Sequence, residues 1–309
     1  MTLEYTHYHK TTRDALVNVQ LAPSLGSATN RFQNLGRVRN YGDEVVVRAV
    51  VWNTNRVKAD LRVNGAWTTN RLVDLGVDAN GVPIPRFTGG FDDSQIFKAG
   101  LSLGAYYVRA LTGVNDANKD GMIACPAGPG SQGCEYTLAD SASFQGIPFP
   151  KVELNFTPSI ELGNVVRLTA TLDHRGGQKI YNLTGVYRNA IFLNGAAVQA
   201  PTSGNLDAQA AALAAAATEG TTGGYIEDAS FTKLREVTLS FTLPQQLVSR
   251  ARASSGRLTI AGRNLYTWTK YSGFNPDVSS QGVGNLNRGI DLGSYPLART
   301  WIFGINLNY

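Results

Sequence analysis

The sequence predicts an all-β fold, an antiparallel transmembrane β-barrel. Three observations point there: long segments in which apolar and polar residues alternate, aromatic residues near the ends of those segments on the apolar side, and connections that alternate between short and long. A barrel strand crosses a membrane in about 9–11 residues with one face to lipid and the other to a wet interior, so alternation carries the signal and mean hydropathy does not. No stretch reaches the roughly 18 consecutive apolar residues of a membrane helix, and the mean hydropathy is −0.15. Many Gly, Tyr, Thr, Asn and Val, against few Met, agree with strands and turns.

In chain order, Thr2 to His9 and Gly42 to Trp52 are the first strands, on either side of a long connection from Lys10 to Arg37. After the short link Asn53-Thr54-Asn55, the third strand, Arg56 to Trp67, places Val57, Ala59, Leu61, Val63, Gly65 and Trp67 opposite Arg56, Lys58, Asp60, Arg62 and Asn64. A long connection runs from Asp74 to Pro148. The fourth strand then sets Val152, Leu154, Phe156, Pro158, Ile160 and Leu162 against Lys151, Glu153, Asn155, Thr157, Ser159 and Glu161. Gly163-Asn164 reads as a two-residue hairpin turn into the fifth strand, Asn164 to Leu172. Beyond the long stretch Arg188 to Ala229, Val237, Leu239, Phe241 and Leu243 form the apolar side of the sixth strand. Leu258, Ile260, Gly262, Tyr266 and Trp268 do so in the seventh, where Asn264 breaks the pattern, with Pro244 to Gly256 between the two. After Tyr271 to Leu297 the eighth strand gathers Trp301, Phe303, Ile305, Leu307 and Tyr309 on one face, with Ile302 out of place. A soluble sandwich also alternates. Strand length, the number of charges on the polar side and the placement of Trp67, Trp268, Trp301 and Tyr309 favour lipid on one face and water on the other.

Two segments are assigned to connections. Gly100 to Val114 looks like a strand, but a spanning strand there would reverse every direction that follows, so it is expected to pair within its own loop. The Ala-rich run Leu206 to Ala217 is expected to be a helix too short to span.

The basic and acidic residues behind the net charge of +5 are scattered along the chain and form no patch, which excludes nucleic acid as a partner. The start, Met1-Thr2-Leu3-Glu4-Tyr5, carries no signal-peptide pattern, so an exported chain requires one upstream. Cys125 and Cys134, in a Pro/Gly/Ser-rich loop without neighbouring His, are expected to form a local disulfide in an oxidising compartment, the other reading being a pair of free thiols. Asp116, Asn118 and Asp120, followed by Gly121, match the first half of a calcium-binding EF-hand loop. Ala127 stands where the bidentate Glu belongs, although Glu135 is close enough in sequence to return, and a tight Asx-turn is the competing reading. His7 and His9 share a strand face without an evident third ligand, and Asp173-His174 lacks any nucleophile context, so no catalytic residue is assigned and no enzyme is expected.

The motifs are more specific than the alternation. Asp228-Ala229-Ser230-Phe231-Thr232-Lys233-Leu234-Arg235-Glu236-Val237, then Ile260-Ala261-Gly262-Arg263-Asn264-Leu265-Tyr266-Thr267-Trp268-Thr269-Lys270-Tyr271 with Gly273-Phe274-Asn275-Pro276-Asp277, and Tyr295-Pro296-Leu297-Ala298-Arg299-Thr300 before an aromatic-ended strand, resemble the C-terminal end of the SusC/RagA family of TonB-linked outer-membrane proteins. Earlier stretches agree in order: Tyr8 to Asp14, Asn34 to Glu44 and Gly176 to Asn182. The resemblance implies that residues 1–309 are the last eight or so strands of a larger barrel, of the ~22-stranded plugged kind, in a bacterial outer membrane. It implies import of oligosaccharides or peptides with a SusD-like lipoprotein, energy from the TonB complex through a part outside this chain, and contact with membrane lipid. It also implies that Trp301, Phe303, Ile305, Leu307 and Tyr309 are read by the outer-membrane assembly machinery, and the family shows a similar Asp-x-Asn-x-Asp-Gly segment. Two other readings stay open: a self-contained eight-stranded barrel serving as anchor or adhesin, and a secreted β-sandwich binding module using calcium and a disulfide.

Overall fold

The computed structural model describes residues 1–20, 30–77, 81–280, 282 and 287–309, and of these only the backbone for 15–20 and 30–35. Its frame is one 8-stranded antiparallel sheet in which every strand lies beside its sequence neighbour. The strands are β1 (Thr2–Gln20), β2 (Asn30–Asn53), β3 (Val57–Asp74), β4 (Val152–Leu162), β5 (Val166–Gly176), β6 (Phe231–Thr242), β7 (Ser255–Thr269) and β8 (Thr300–Asn308). The sheet order leaves β1 and β8 with one neighbour each.

Register follows from the alternation, because a slip of one residue would turn every apolar side chain to the polar side. Val57, Leu162, Val166, Phe241, Leu258 and Ile305 occupy one row across six strands, and Ala59, Ile160, Leu168, Leu239, Ile260 and Phe303 the next row on that face. Between them on the opposite face lie Lys58, Glu161, Arg167, Ser240, Thr259 and Gly304. Among the described residues nothing packs on the apolar face at its β8 end: Phe303 is 72% exposed and Ile305 71%. At Gly262 the close packing is between strands, for a Cβ there would stand 2.9 Å from the Trp301 ring on β8.

The short connections share one end of the sheet. At 54–56 the Thr54 hydroxyl accepts from Val57 N at 3.0 Å and donates to Val57 O at 3.1 Å. In the β4–β5 turn Gly163 and Asn164 both have φ of 56°, the left-handed pair of a type I′ hairpin, closed by Val165 N donating to Leu162 O at 3.0 Å. The β6–β7 link holds a short helix, Gln245–Arg250.

The long connections gather at the other end and contain most of the buried core. Segment 75–151 folds into a 4-stranded sheet of Arg86–Gly89, Gln95–Lys98, Ala105–Val108 and Ser143–Gly146, and a pair of Leu111–Val114 with Tyr136–Leu138. Segment Gly100 to Val114 therefore pairs inside its own loop, as its direction required. In 177–230 the strand Lys179–Tyr181 pairs with Ile226–Asp228, and the alanine run is a helix, Leu206–Ala216. Tyr106, Tyr181, Leu183, Tyr225 and Ile290 bring three long connections into one apolar cluster.

One boundary is corrected. The expected long connection Lys10 to Arg37 is strand over much of its length: β1 and β2 stay paired from Thr2↔Arg48 to Gln20↔Asn30. Thr, Arg and Asn in that stretch blur the apolar period, but a hairpin ladder continues wherever backbone partners face each other.

Candidate functional site

The charged face of the sheet is held by cross-strand pairs, the unit of sheet stabilisation. Arg167 on β5 reaches Glu161 at 3.4 Å and Asp60 at 3.0 Å across β4, and Lys58 lies 3.8 Å from Glu161. The Ser159 hydroxyl donates to Asp60. Arg263 contacts Glu236 at 2.6 Å, and Arg48 contacts Glu4 at 3.1 Å. These side chains are between a quarter and a little over half exposed, so each pair contributes about 1 kcal/mol or less. Such a surface suits contact with water and polar solutes.

Toward the long-connection end the charges become denser. Three cations converge on Asp277 of the β7–β8 connection: Arg175 at 2.8 Å, Arg235 at 2.8 Å and Lys233 at 3.4 Å. Arg235 also meets Asp173 at 2.5 Å. The Lys233 ammonium donates to Asn275 Oδ1 at 2.7 Å and sits 4.6 Å above the Phe231 ring, and its side chain is 6% exposed. Burial alone would raise the Asp277 carboxyl, but the hydrogen bond from Arg235 and the charges of Lys233 and Arg175 outweigh it and hold the pKa below the ordinary value.

Local backbone irregularity makes this cluster. The β5–β6 and β6–β7 ladders both shift register between Leu234 and Glu236, so Arg235 is an extra residue turned to the polar side next to Glu236. Asn264, opposite the shift on β7, takes φ of 53°, which explains its break in the apolar pattern. The sequence signal was the spacing of Leu234 and Val237, both apolar yet an odd number apart. Arg235, Lys233 and Asp277 belong to the stretches 228–237 and 273–277, whose sequence alone signals no role for them.

Beside the cluster, at the same end, a cleft of 430 Å³ opens among the connections. On its wall Asn182 Nδ2 donates to Glu227 Oε1 at 2.8 Å and to Ser272 Oγ at 2.9 Å. The Tyr271 hydroxyl donates to Asp291 at 2.7 Å, and burial together with the Asp291 charge raises its pKa well above the ordinary tyrosine value. Burial pushes Tyr225 up to about 12. The cleft was not anticipated, because it is built by tertiary contacts between connections distant in sequence.

Cys125 and Cys134 are joined, Cα to Cα 4.1 Å, against the cluster of Ile123, Tyr136, Ala210 and Ala214. Asp116, Asn118 and Asp120 come together as an Asx-turn: Asp116 accepts from Asp120 N and Gly121 N at 3.1 and 2.9 Å, and Asp120 accepts from Met122 N at 2.8 Å. Glu135 does return to this loop, where it accepts from Ala117 N and Ala124 N at 3.1 and 2.9 Å. Among the described residues no group of three His, Cys, Asp or Glu side chains is disposed to hold a metal ion. His7 bonds Asp43 at 2.9 Å, and His9 stacks on Tyr41. Asp173 and His174 engage different partners, Arg235 and Thr232. Trp301, Phe303 and Ile305 stand on the exposed apolar face of β8 with Leu307 in the same alternation, and Tyr309 lies beyond the strand.

No family model matches the chain. It is 24% identical over its full length to TonB-dependent receptor P3 of Formosa agariphila, covering 32% of that protein. Against TonB-dependent receptor SusC of Bacteroides thetaiotaomicron it is 24% identical over 98% of its length, covering 29% of that protein. The chain is similar in sequence to TonB-dependent receptors. It spans about a third of the length of the curated relatives it matches. The fold agrees: 99% of the chain superposes on 33% of a chain of the RagAB peptide importer in its closed-closed state with a TM-score of 0.71 at 18% identity, and on 32% of one in the open-open state with 0.68 at 19%. The matched proteins are named as receptors and importers.

Proposed function

We propose that the chain is a segment of the wall of an outer-membrane β-barrel that imports oligomeric nutrients, oligosaccharides or peptides, under energy delivered by TonB. The observation that carries this reading is the sheet itself, with one face apolar and uncovered, the other charged, and its long, folded connections all at one end. Lipid solvates the first face; water and solute contact the second. The long connections then face outside and the short turns face the periplasm. In hydrocarbon, unpaired backbone groups cost several kcal/mol each. The free edges of β1 and β8 therefore pair with further strands of the same barrel.

RagAB is named a peptide importer, and SusC is named a TonB-dependent receptor. By this kinship a SusD-like lipoprotein would cover the outer face of the folded connections. The outer-membrane assembly machinery would read β8 through Trp301, Phe303, Ile305, Leu307 and Tyr309. The Cys125–Cys134 bond suits an oxidising site outside the cytoplasm. Fractionation of native cells with an antibody against 273–296 tests the reading. The band is expected in the outer membrane at several times 33.2 kDa; a soluble band would overturn the membrane assignment.

A further inference from the structure

The cleft described above carries charges whose partners are unevenly supplied. Glu227 is engaged by Asn182 and Ser272, and Asp291 by Tyr271 and Thr184. Arg188 and Asp207, which also line the cleft, make no side-chain hydrogen bond or ion pair among the described residues. One unpaired cation and one unpaired anion thus share a concavity whose volume, 430 Å³, falls in the range of about 300–1,000 Å³ that encloses small ligands.

The backbone that presents them is unusual. Arg188 sits in a single π-turn, Tyr187–Ile191, a rare form that is frequent at functional sites. Two residues on, Leu193 has φ of 54°, a conformation rarely taken by a bulky side chain. Asp207 stands in the first turn of the helix Leu206–Ala216, which packs against that π-turn and supplies Ala208 and Ala211 to the cleft wall. Small side chains there let a ligand backbone approach closely.

We propose that this cleft binds a short peptide with free ends, Arg188 holding its carboxylate and Asp207 its ammonium group. A guanidinium matches a carboxylate with two parallel hydrogen bonds, and the side chains paired inside the cleft leave these two charges to orient the ligand. With three carboxylates and one guanidinium lining it, the cleft repels anionic ligands. A neutral sugar offers neither charge an ionic partner, so it gains nothing from them that water does not already supply. The assignment deepens the import reading and rests on it only for the side from which the ligand arrives.

The test uses the whole protein purified from membranes in detergent, with trialanine, N-acetyl-trialanine amide and maltotriose as calorimetric probes. Trialanine is expected to bind, and capping both ends to weaken it at least about tenfold, as loss of charge-assisted contacts does. Arg188→Gln and Asp207→Asn should each weaken trialanine by about tenfold and leave the capped peptide unchanged. Both side chains are exposed, so the melting temperature should hold and a null result cannot be blamed on misfolding. Equal binding of free and capped peptide, variants that bind like the parent, or maltotriose binding in place of trialanine would each overturn the assignment. A protein that resides in the outer membrane and imports solute yet ignores trialanine sinks the cleft proposal alone. One recovered as soluble sinks the import reading, whatever it binds.

Discussion

Asp277 illustrates how one residue ties a connection to the sheet. Three cations approach it and Lys233 is nearly enclosed, so Asp277→Asn leaves an ammonium buried without its carboxylate. That change is expected to cost about 2–4 kcal/mol and to expose 270–299 to protease, read as faster nicking at an unchanged cell yield. Its pH dependence follows from the sign of the shift. The carboxyl lies below its ordinary value in the folded protein, so the stabilisation is fully present above the unfolded value near pH 4 and is lost as pH falls through the lower folded one. Nicking should therefore be flat at neutral pH and rise only in acid, and the Asp277→Asn chain should show no such rise. The two readings of 116–120, an Asx-turn and a calcium loop, also divide at this scale. Asp116 and Asp120 already accept main-chain N–H groups, which accounts for the loop's shape without an ion. Chelation is expected to leave protease protection of 116–135 unchanged, and a loss of protection on chelation would favour the calcium reading.

Among the elements, strands were legible where one face meets a uniform surroundings. Val152 to Leu162 alternates without a fault, and its register against both neighbours is the one the alternation demands. Legibility fell where that condition fails. The upper halves of β1 and β2 carry mixed polar residues and read as loop, although the ladder continues through them. The Arg235 bulge appeared only as a break in parity, since a bulge preserves each residue's local preference while changing which side it faces. The cleft and the charge cluster were not legible at all, because they join 182, 207, 227, 277 and 291 across two connections distant in sequence. The turn at Gly163-Asn164, in contrast, was readable from two residues. Asn164→Val, forced into a left-handed conformation, is expected to cost about 1–2 kcal/mol, measurable as a lower folding midpoint in urea, whereas Asn164→Gly should be close to neutral.

For the whole molecule, the account makes the two faces of the sheet unequal in a way a sandwich would not. Phe303→Arg places a charge on the face proposed to meet lipid and is expected to destabilise the folded protein by about 2–4 kcal/mol if mid-depth, whereas Ser240→Arg on the charged face should change little. The heat-modifiable folded band on gels reads the difference. The most direct test of the central claim is a nitroxide scan of β8 in the complete protein, with single labels from Trp301 to Leu307. The account predicts alternation: labels at 301, 303, 305 and 307 relaxed by lipid-soluble oxygen, and labels at 304 and 306 by a water-soluble nickel chelate. Labels on the apolar positions that neither reagent reaches would mean a dry protein core, and would contradict the reading of this sheet as a membrane wall.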